Sequence, residues 1–259
     1  MKALSLKQQK INKSMNGAMA LMVVVLCFLY LNVSVIDIVT STPQLVGFLA
    51  ANFLSPNFTH WGIYLTAVID TVLFAIIGTY ISAILAFVLG VGMSDQLTPN
   101  PWIRNTIRFM VSFFRNIPVL IWASLLVYVF GIGNIVGLIA LVFATIGFLS
   151  RSYAESINEI AGSKLESMKA SGASWGQIVF HGLIPEFMPA WINWTLFSFE
   201  INIRASAILG MVGAGGLGIL IQTNLNLRNF NEVSALVIIL VMLVLATEFL
   251  VNLIRKHLR

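Results

Sequence analysis

The chain contains six apolar runs, and each is close to the length that an α-helix needs to cross a lipid bilayer. Such a helix requires about 20 predominantly apolar residues. Hydrophobic residues make up 58% of the 259 residues and charged residues only 10%, whereas a soluble domain has about 25% charged residues. We therefore predict an all-α membrane protein with six transmembrane helices, at residues 17–36, 71–92, 111–132, 135–149, 190–212 and 235–254.

Positively charged residues indicate the orientation of these spans. Lys and Arg accumulate in cytoplasmic loops, and the segment 37–65 contains neither, which is typical of an exported loop. With both termini inside, twelve of the 15 Lys and Arg residues are cytoplasmic, Arg228 is outside, and Arg115 and Arg204 lie at membrane depth. The sequence therefore predicts six spans with both termini cytoplasmic, in a multi-pass protein of the cell membrane.

The longest polar break that still resembles folded structure lies between the fourth and fifth runs. Ser163 precedes Glu166 by three residues, and Ser174 precedes Gln177 by three, so each serine predicts a capping box at a helix start. Gly172 lies between them and is the residue type that commonly ends a helix. We predict two short helices bent at Gly172, the second ending at the following proline. They would form a cytoplasmic hairpin that a soluble partner can bind.

The sequence lacks the signatures of an enzyme. His60, His181 and His257 are far apart in the chain, Cys27 is the only cysteine, and neither a His-Glu-x-x-His motif nor a phosphate-binding Gly-x-x-x-x-Gly-Lys-Ser/Thr motif occurs. We predict no catalytic residue, no metal, no cofactor and no nucleic acid partner. Any ATP hydrolysis would need a separate subunit.

A glycine-rich segment at residues 213–218 fits the dinucleotide fingerprint Gly-x-Gly-x-x-Gly. That fingerprint requires a preceding strand within a soluble unit, whereas here a membrane span precedes it. We therefore predict a close turn near an outer gate, formed by Gly213, Gly215, Gly216 and Gly218.

Five polar residues are predicted within or at the edge of the membrane: Arg115, Asn116, Glu200, Asn202 and Arg204. Ionisable groups that face lipid cost at least ~2.5 kcal/mol each, so they should face the bundle interior or a water-filled path. Glu200 and Arg204 are one helical turn apart and therefore on one face. Two interpretations stay open: a self-neutralising pair that stabilises the bundle, or part of a polar lining through which an anion passes.

The hairpin resembles the cytoplasmic "EAA" loop of ABC importer permeases, which has a glutamate, a glycine six residues later, and a hydrophobic residue followed by proline about a dozen residues after that. The chain departs from this pattern at Ser167, Met168 and Gly182. The resemblance implies that the loop couples the chain to a separate cytoplasmic ATPase subunit. The matching residues are Glu166, Ala170, Gly172, Ala173, Ile184 and Pro185.

A second stretch, residues 199–218, resembles the corresponding stretch of phosphonate importer permeases, and Arg115-x-Ile117-Pro118 agrees with that subfamily. The resemblance covers roughly residues 70–255 and implies a type-1 ABC importer permease core, with its coupling hairpin at about 159–189. Residues 1–69 would then hold the cytoplasmic amino terminus, the first transmembrane helix and an outer loop.

These resemblances imply a permease subunit that forms the translocation path for phosphonate or a related phosphorus oxyanion. Its partners would be cytoplasmic ABC ATPase subunits, a second permease copy or a paralogue, an extracytoplasmic substrate-binding protein, and membrane lipid. Methionine and other importer permeases share a similar glycine segment, so a permease for another small solute, such as an amino acid, stays open. Glu248 near the end of the last run leaves an ion-coupled secondary transporter as a further alternative.

Overall fold

The computed structural model describes residues 6–31, 34–95, 97–160 and 163–257, and all regular structure within these ranges is helical. This agrees with the all-α prediction. The chain divides into two compact units, Met1–Leu54 and Ser55–Arg259, which are described separately below.

The first unit contains two helices, α1 (Leu6–Tyr30) and α2 (Val35–Phe53). In α1, Asn12–Tyr30 is long and apolar enough to cross a membrane. The helix ends at Tyr30, before residue 36, where the first span is predicted to end. The second helix begins because Ser34 Oγ accepts a hydrogen bond from the Asp37 amide at 3.1 Å. A helix therefore occupies much of the segment 37–65 that the sequence predicts as a loop, since an N-cap serine followed by an apolar stretch favours a helix despite Pro43.

The second unit contains nine helices among its described residues. Two π-helical segments, Ile178–Leu183 and Gly210–Ala214, adjoin the ends of one of them. The helices are α3 (Trp61–Met93), α4 (Pro101–Asn116), α5 (Val119–Phe130), α6 (Asn134–Ile160), α7 (Ser163–Ala170), α8 (Trp175–Gln177), α9 (Ile184–Leu209), α10 (Gly216–Asn226) and α11 (Phe230–His257).

Small residues bring α3 and α6 into close contact at the centre of this unit. A Cβ atom at Gly78 would lie 2.7 Å from the Leu141 side chain, and one at Gly90 would lie 3.0 Å from Cβ of Tyr153. Ser82 Oγ adds an interhelical hydrogen bond to the Val142 carbonyl at 3.3 Å. Membrane helices associate largely through such close packing, because lipid tails provide no hydrophobic driving force between helices.

The third predicted span is bent rather than continuous. The axes of α4 and α5 differ by 88°, and the bend lies at Ile117 and Pro118. Pro118 has no amide hydrogen to continue the hydrogen bonding of α4, and a residue before proline is driven to an extended conformation. Ile117 has φ −93° and ψ 117° accordingly. The third span predicted at residues 111–132 therefore consists of the end of α4 and the whole of α5, with the bend between them.

The hairpin and the fifth predicted span are joined, since α8, the first π segment and α9 follow one another without a break. The prediction that a separate helix ends at Pro185 is wrong. The Ile184 amide bonds to the Val179 carbonyl, five residues earlier, so the turn before Pro185 is wider than an α-helical turn. A wider turn accommodates a proline ring that would clash with the carbonyl four residues before it.

Among the described residues, five helices are long and apolar enough to cross a membrane, and the bent α4–α5 pair raises the number to as many as six. The predicted six spans are reached only when that pair is counted as one span. The orientation of the termini stays a prediction.

Candidate functional site

The hairpin bends at Gly172, as the sequence predicts. This residue has φ +81°, a conformation in which glycine avoids the strain of a side chain. Its amide donates to the Lys169 carbonyl at 3.0 Å, and the Ala173 amide donates to the Met168 carbonyl at 3.1 Å. These bonds use carbonyls at the end of α7 that would otherwise lack partners, so the bend also terminates the helix.

The second half of the hairpin begins with the predicted capping box. Gln177 Oε1 accepts from the Ser174 amide at 2.8 Å, and Ser174 Oγ accepts from the Gln177 amide at 3.4 Å. The helix α7 begins at Ser163, but the side chains of Ser163 and Glu166 lie outside the described part of the chain. The first predicted capping box and the placement of the Glu166 carboxylate therefore stay predictions.

One side of the hairpin is fixed to the helix bundle. Met168, Ala173 and Ile184 pack against a buried cluster that includes Leu97 and Tyr153. Trp175, on α8, donates its indole N–H to the Leu97 carbonyl at 3.0 Å. Sequence reasoning missed this contact, because no local pattern connects two residues 78 positions apart.

The other side of the hairpin is open. Ala170, Gly172 and Pro185 are exposed. A groove of about 530 Å³ follows the bend and is lined by Met168, Ser171, Gly172, Ala173, Gln177 and His181. The hairpin thus combines an apolar attachment to the bundle with an accessible, partly polar surface.

Asn202 of α9 connects three helices in the interior. Its Nδ2 group donates to Thr79 Oγ1 of α3 at 2.8 Å, and its Oδ1 atom accepts from Thr145 Oγ1 of α6 at 3.0 Å. All three side chains are buried. Asn202 therefore holds the bundle together in this conformation, and its predicted place on a translocation path stays a prediction.

Arg204 and Glu200 form the predicted ion pair along α9, with Nη2 and Oε1 2.7 Å apart. The arginine side chain is 52% exposed and the glutamate 15%. Two residues correspond to about 200° of helical rotation, so Arg204 lies on nearly the opposite side of α9 from Asn202. There it lines an apolar groove of about 320 Å³ with residues of α10 and α11, including Ile221, Leu240 and Val244.

Arg115 and Asn116 are exposed at the α4–α5 bend. A Cβ atom at Gly147 of α6 would lie 2.6 Å from the Arg115 amide nitrogen, so this glycine lets the two helices touch at the bend. Within the described ranges, the Arg115 guanidinium has no hydrogen bond or ion pair, and no contact joins it to Arg204. The structure thus places the two arginines in separate surroundings of the same subunit.

The glycine segment forms a sharp turn between α9 and α10. Gly213, Gly215 and Gly216 have φ of +97°, +85° and +67°. A Cβ atom at Gly218 would collide with the Ala207 carbonyl, so the backbones of α9 and α10 touch there. The Leu217 amide donates to Thr71 Oγ1 of α3 at 2.9 Å. The close turn is present, with α10 directly after it, while its role as an outer gate stays a prediction.

The described residues contain no group of three His, Cys, Asp or Glu side chains that could hold a metal ion. The fold is a bundle of membrane-length apolar helices with a hairpin docked against it. The profile of the family "binding-protein-dependent transport system inner membrane component" matches residues 86–259, and the chain belongs to this family. It is a multi-pass inner-membrane permease subunit of the ABC importer class, as the hairpin resemblance implies.

Individual relatives agree with this family. The chain is 32% identical over 235 residues to the phosphate-import permease protein PhnE of Mycolicibacterium smegmatis, an alignment that covers 90% of this chain but only 44% of that protein. It is 27% identical over 212 residues to the phosphite transport system permease protein PtxC of Stutzerimonas stutzeri, covering 82% of this chain and 77% of that protein. The chain is thus similar in sequence to permeases named for phosphorus oxyanions.

A solved structure shows the same fold. An inward-facing MetNI methionine ABC transporter chain superposes with a TM-score of 0.68 at 24% identity, over 76% of this chain and 96% of that chain. The type-1 importer permease fold implied by the sequence is therefore confirmed.

Proposed function

We propose that this chain forms the translocation path of an ATP-driven importer for phosphonate or a related phosphorus oxyanion. The observation that carries the transport function is the hairpin, which is fixed to the bundle by Trp175 and open on its other side. The substrate class is supported by the similarity to phosphate and phosphite permeases over 90% and 82% of this chain.

The hairpin is the proposed contact with a separate cytoplasmic ABC ATPase. Ala170, Gly172 and Pro185 are accessible, while the neighbouring Ala173 and Ile184 pack against the bundle. A partner that pushes on the exposed side would move the bundle helices, because the hairpin continues into α9. Glu166 belongs to the same proposed surface. ATP binding would thereby switch the path between inward-open and outward-open states.

The proposed path uses the polar residues Arg115, Asn116, Glu200, Asn202 and Arg204. Arg115 carries a positive charge without a described partner at the α4–α5 bend, and Arg204 shares its charge with Glu200. An anion gains more from an unshared charge, so Arg115 is the stronger candidate in this conformation. A second copy of the chain, or a paralogue, would complete the path, and an extracytoplasmic binding protein would deliver the substrate to the Gly213–Gly218 turn.

The coupling role is tested with Glu166→Gln and Gly172→Ala, with Thr66→Ala on α3 as the control away from the hairpin. Uptake by the importer and substrate stimulation of its ATPase should fall in both variants while the amount of protein in the membrane stays the same. The control should transport normally, because Thr66 is exposed and its hydroxyl bonds to the Gly62 carbonyl of its own helix. Normal uptake in both test variants would contradict the coupling role.

The substrate class is tested by measuring uptake of phosphite, methylphosphonate, phosphate and methionine in cells that lack other transporters for them. Phosphorus oxyanions should be taken up, and Arg115→Gln should reduce uptake more than Arg204→Gln. The second candidate is an amino acid importer, favoured by the fold shared with the methionine transporter. Uptake of methionine alone would establish that candidate instead.

A further inference from the structure

Helix α4 exposes a predominantly apolar face, in which Thr106 is the polar residue. Trp102 is 83% exposed and Phe109 is 76% exposed, and these residues are seven positions apart, on the same side of the helix. Phe113 follows one turn later, with Ile103 and Met110 at the margin. Five large apolar side chains are thus more than 40% exposed on a helix of 16 residues, and among them Phe113 also contacts the ring of Trp122 on α5.

The opposite side of α4 is held firmly, so this face cannot turn inward. Arg108 donates to the Met93 carbonyl at 2.7 Å and to the Asp95 carboxylate at 2.9 Å. Arg104 forms a second ion pair with Asp95 at 3.2 Å. Val111 is buried in a small cluster with Met93 and other residues of α3 and α6.

The direction of α4 follows from its neighbour. α5 packs along α6 through Ala123, Ala140 and Leu141, and α6 is long and apolar enough to cross the membrane. Since α4 makes an angle of 88° with α5, the two helices cannot both run along the membrane normal. α5 has no charged residue, whereas α4 contains Arg104, Arg108 and Arg115, so α4 is the helix that we place along the membrane plane. At the end of α4, the Arg115 backbone touches Gly147 of α6. Gly147 is one turn before Arg151, where the apolar part of α6 ends, so this end of α4 is near the membrane border.

We propose that α4 lies in the membrane–water interface and inserts its aromatic face, defined by Trp102, Phe109 and Phe113, among the lipid acyl chains. Lipid is the occupant because α4 combines an apolar face, basic residues on the opposite side and low overall hydrophobicity, the pattern of interfacial helices. Tryptophan near the helix end suits the headgroup level.

The test uses the full-length protein in vesicles of phosphatidylethanolamine and phosphatidylglycerol. Cys27 is the only cysteine, so Cys27→Ser provides a background for single spin labels at Phe109→Cys and Phe113→Cys, with Asn105→Cys as the matched control. Asn105 is exposed on the same helix but outside the aromatic face. Labels at 109 and 113 should collide several-fold more with oxygen, and several-fold less with a water-soluble nickel complex, than the label at 105.

Two outcomes overturn the proposal. Nickel accessibility at 109 and 113 equal to that at 105 would mean that the face is in water. Immobile labels that neither reagent reaches would mean that a second copy of the chain or another protein covers it.

A second measurement needs no spin label on the helix. Phospholipids brominated near the headgroup should quench the tryptophan emission of the natural protein, and Trp102→Phe should lose a fraction of that quenching. An unchanged quenched fraction in Trp102→Phe would contradict insertion of this residue.

Discussion

Two residues that are two positions apart on α9 lie on different surfaces. Asn202 is buried between α3 and α6, whereas Arg204 is half exposed beside α10 and α11. The sequence predicts the Glu200–Arg204 pair because the spacing of four residues determines it. The partners of Asn202 could not be predicted, since the two threonines that bind it lie 57 and 123 residues away in the chain.

Asn202→Leu should destabilise the protein without a direct effect on an exposed surface. The change removes two buried interhelical hydrogen bonds, each worth about 0.6 kcal/mol in membrane bundles. We expect a loss of about 1–2 kcal/mol once the unpaired threonine hydroxyls are included, measured by thermal unfolding in detergent. Asn193→Leu is the control, because Asn193 is exposed on the same helix. Equal unfolding temperatures for the two variants would show that the buried amide contributes nothing.

Gly218→Ala should prevent folding of the α9–α10 turn. A methyl group there would overlap the Ala207 carbonyl, and backbone atoms cannot move aside as a flexible side chain can. We expect a cost above the ~1–3 kcal/mol of ordinary overpacking, seen as loss of monodisperse protein on gel filtration. Gly133→Ala should fold normally, since no atom lies within 4 Å of its added Cβ. A stable Gly218→Ala protein would contradict the close contact of the two helices.

At the scale of elements, the hairpin shows what a local pattern can and cannot predict. The bend at Gly172 and the Ser174–Gln177 capping box follow from residues three or fewer positions apart, and both are present. The end of the second helix is not where the sequence predicts it, because Pro185 is accommodated by a π-helical turn. The usual effect of proline assumes an α-helical turn before it, and the sequence alone does not reveal the wider one.

Trp175→Phe should loosen the hairpin while leaving the bundle intact. The change keeps most of the aromatic area and removes only the hydrogen bond to the Leu97 carbonyl, which is worth about 1 kcal/mol. Hydrogen exchange of amides in the segment 168–178 should become roughly fivefold faster, as expected for a local opening made easier by that amount. Phe180→Leu, at an exposed aromatic residue of the adjoining π segment, is the control and should not change this exchange. Unchanged exchange in Trp175→Phe would mean that the apolar contacts of Met168 and Ala173 alone hold the hairpin.

For the whole molecule, composition predicts the class of protein and hydropathy predicts most of the spans. Five apolar helices lie where apolar runs occur in the sequence. The exception is the α4–α5 pair, where hydropathy cannot reveal an 88° bend between two apolar segments. The residues of the proposed path are less predictable still, because a path completed by a second copy would not be visible in the contacts of one chain.

The predicted orientation can be tested by cysteine labelling in the Cys27→Ser background. Ser171→Cys should react with a membrane-impermeant maleimide only in inside-out vesicles. Asn226→Cys should react only in intact cells whose outer membrane or cell wall admits the reagent. Both positions are exposed. We expect this pattern because Lys and Arg residues lie near the hairpin and are scarce in the loops on the other side of the membrane. The reverse labelling pattern would contradict the prediction that both termini are cytoplasmic.

The continuous helical segment Trp175–Gly213 has a mechanical consequence. Its 39 residues correspond to about 58 Å of helix, with the hairpin at one end and the glycine turn at the other. If the segment moves as one body, a tilt of about 10° displaces one end by roughly 10 Å relative to the other. A small rocking of the hairpin would then shift the glycine turn by about the width of a helix.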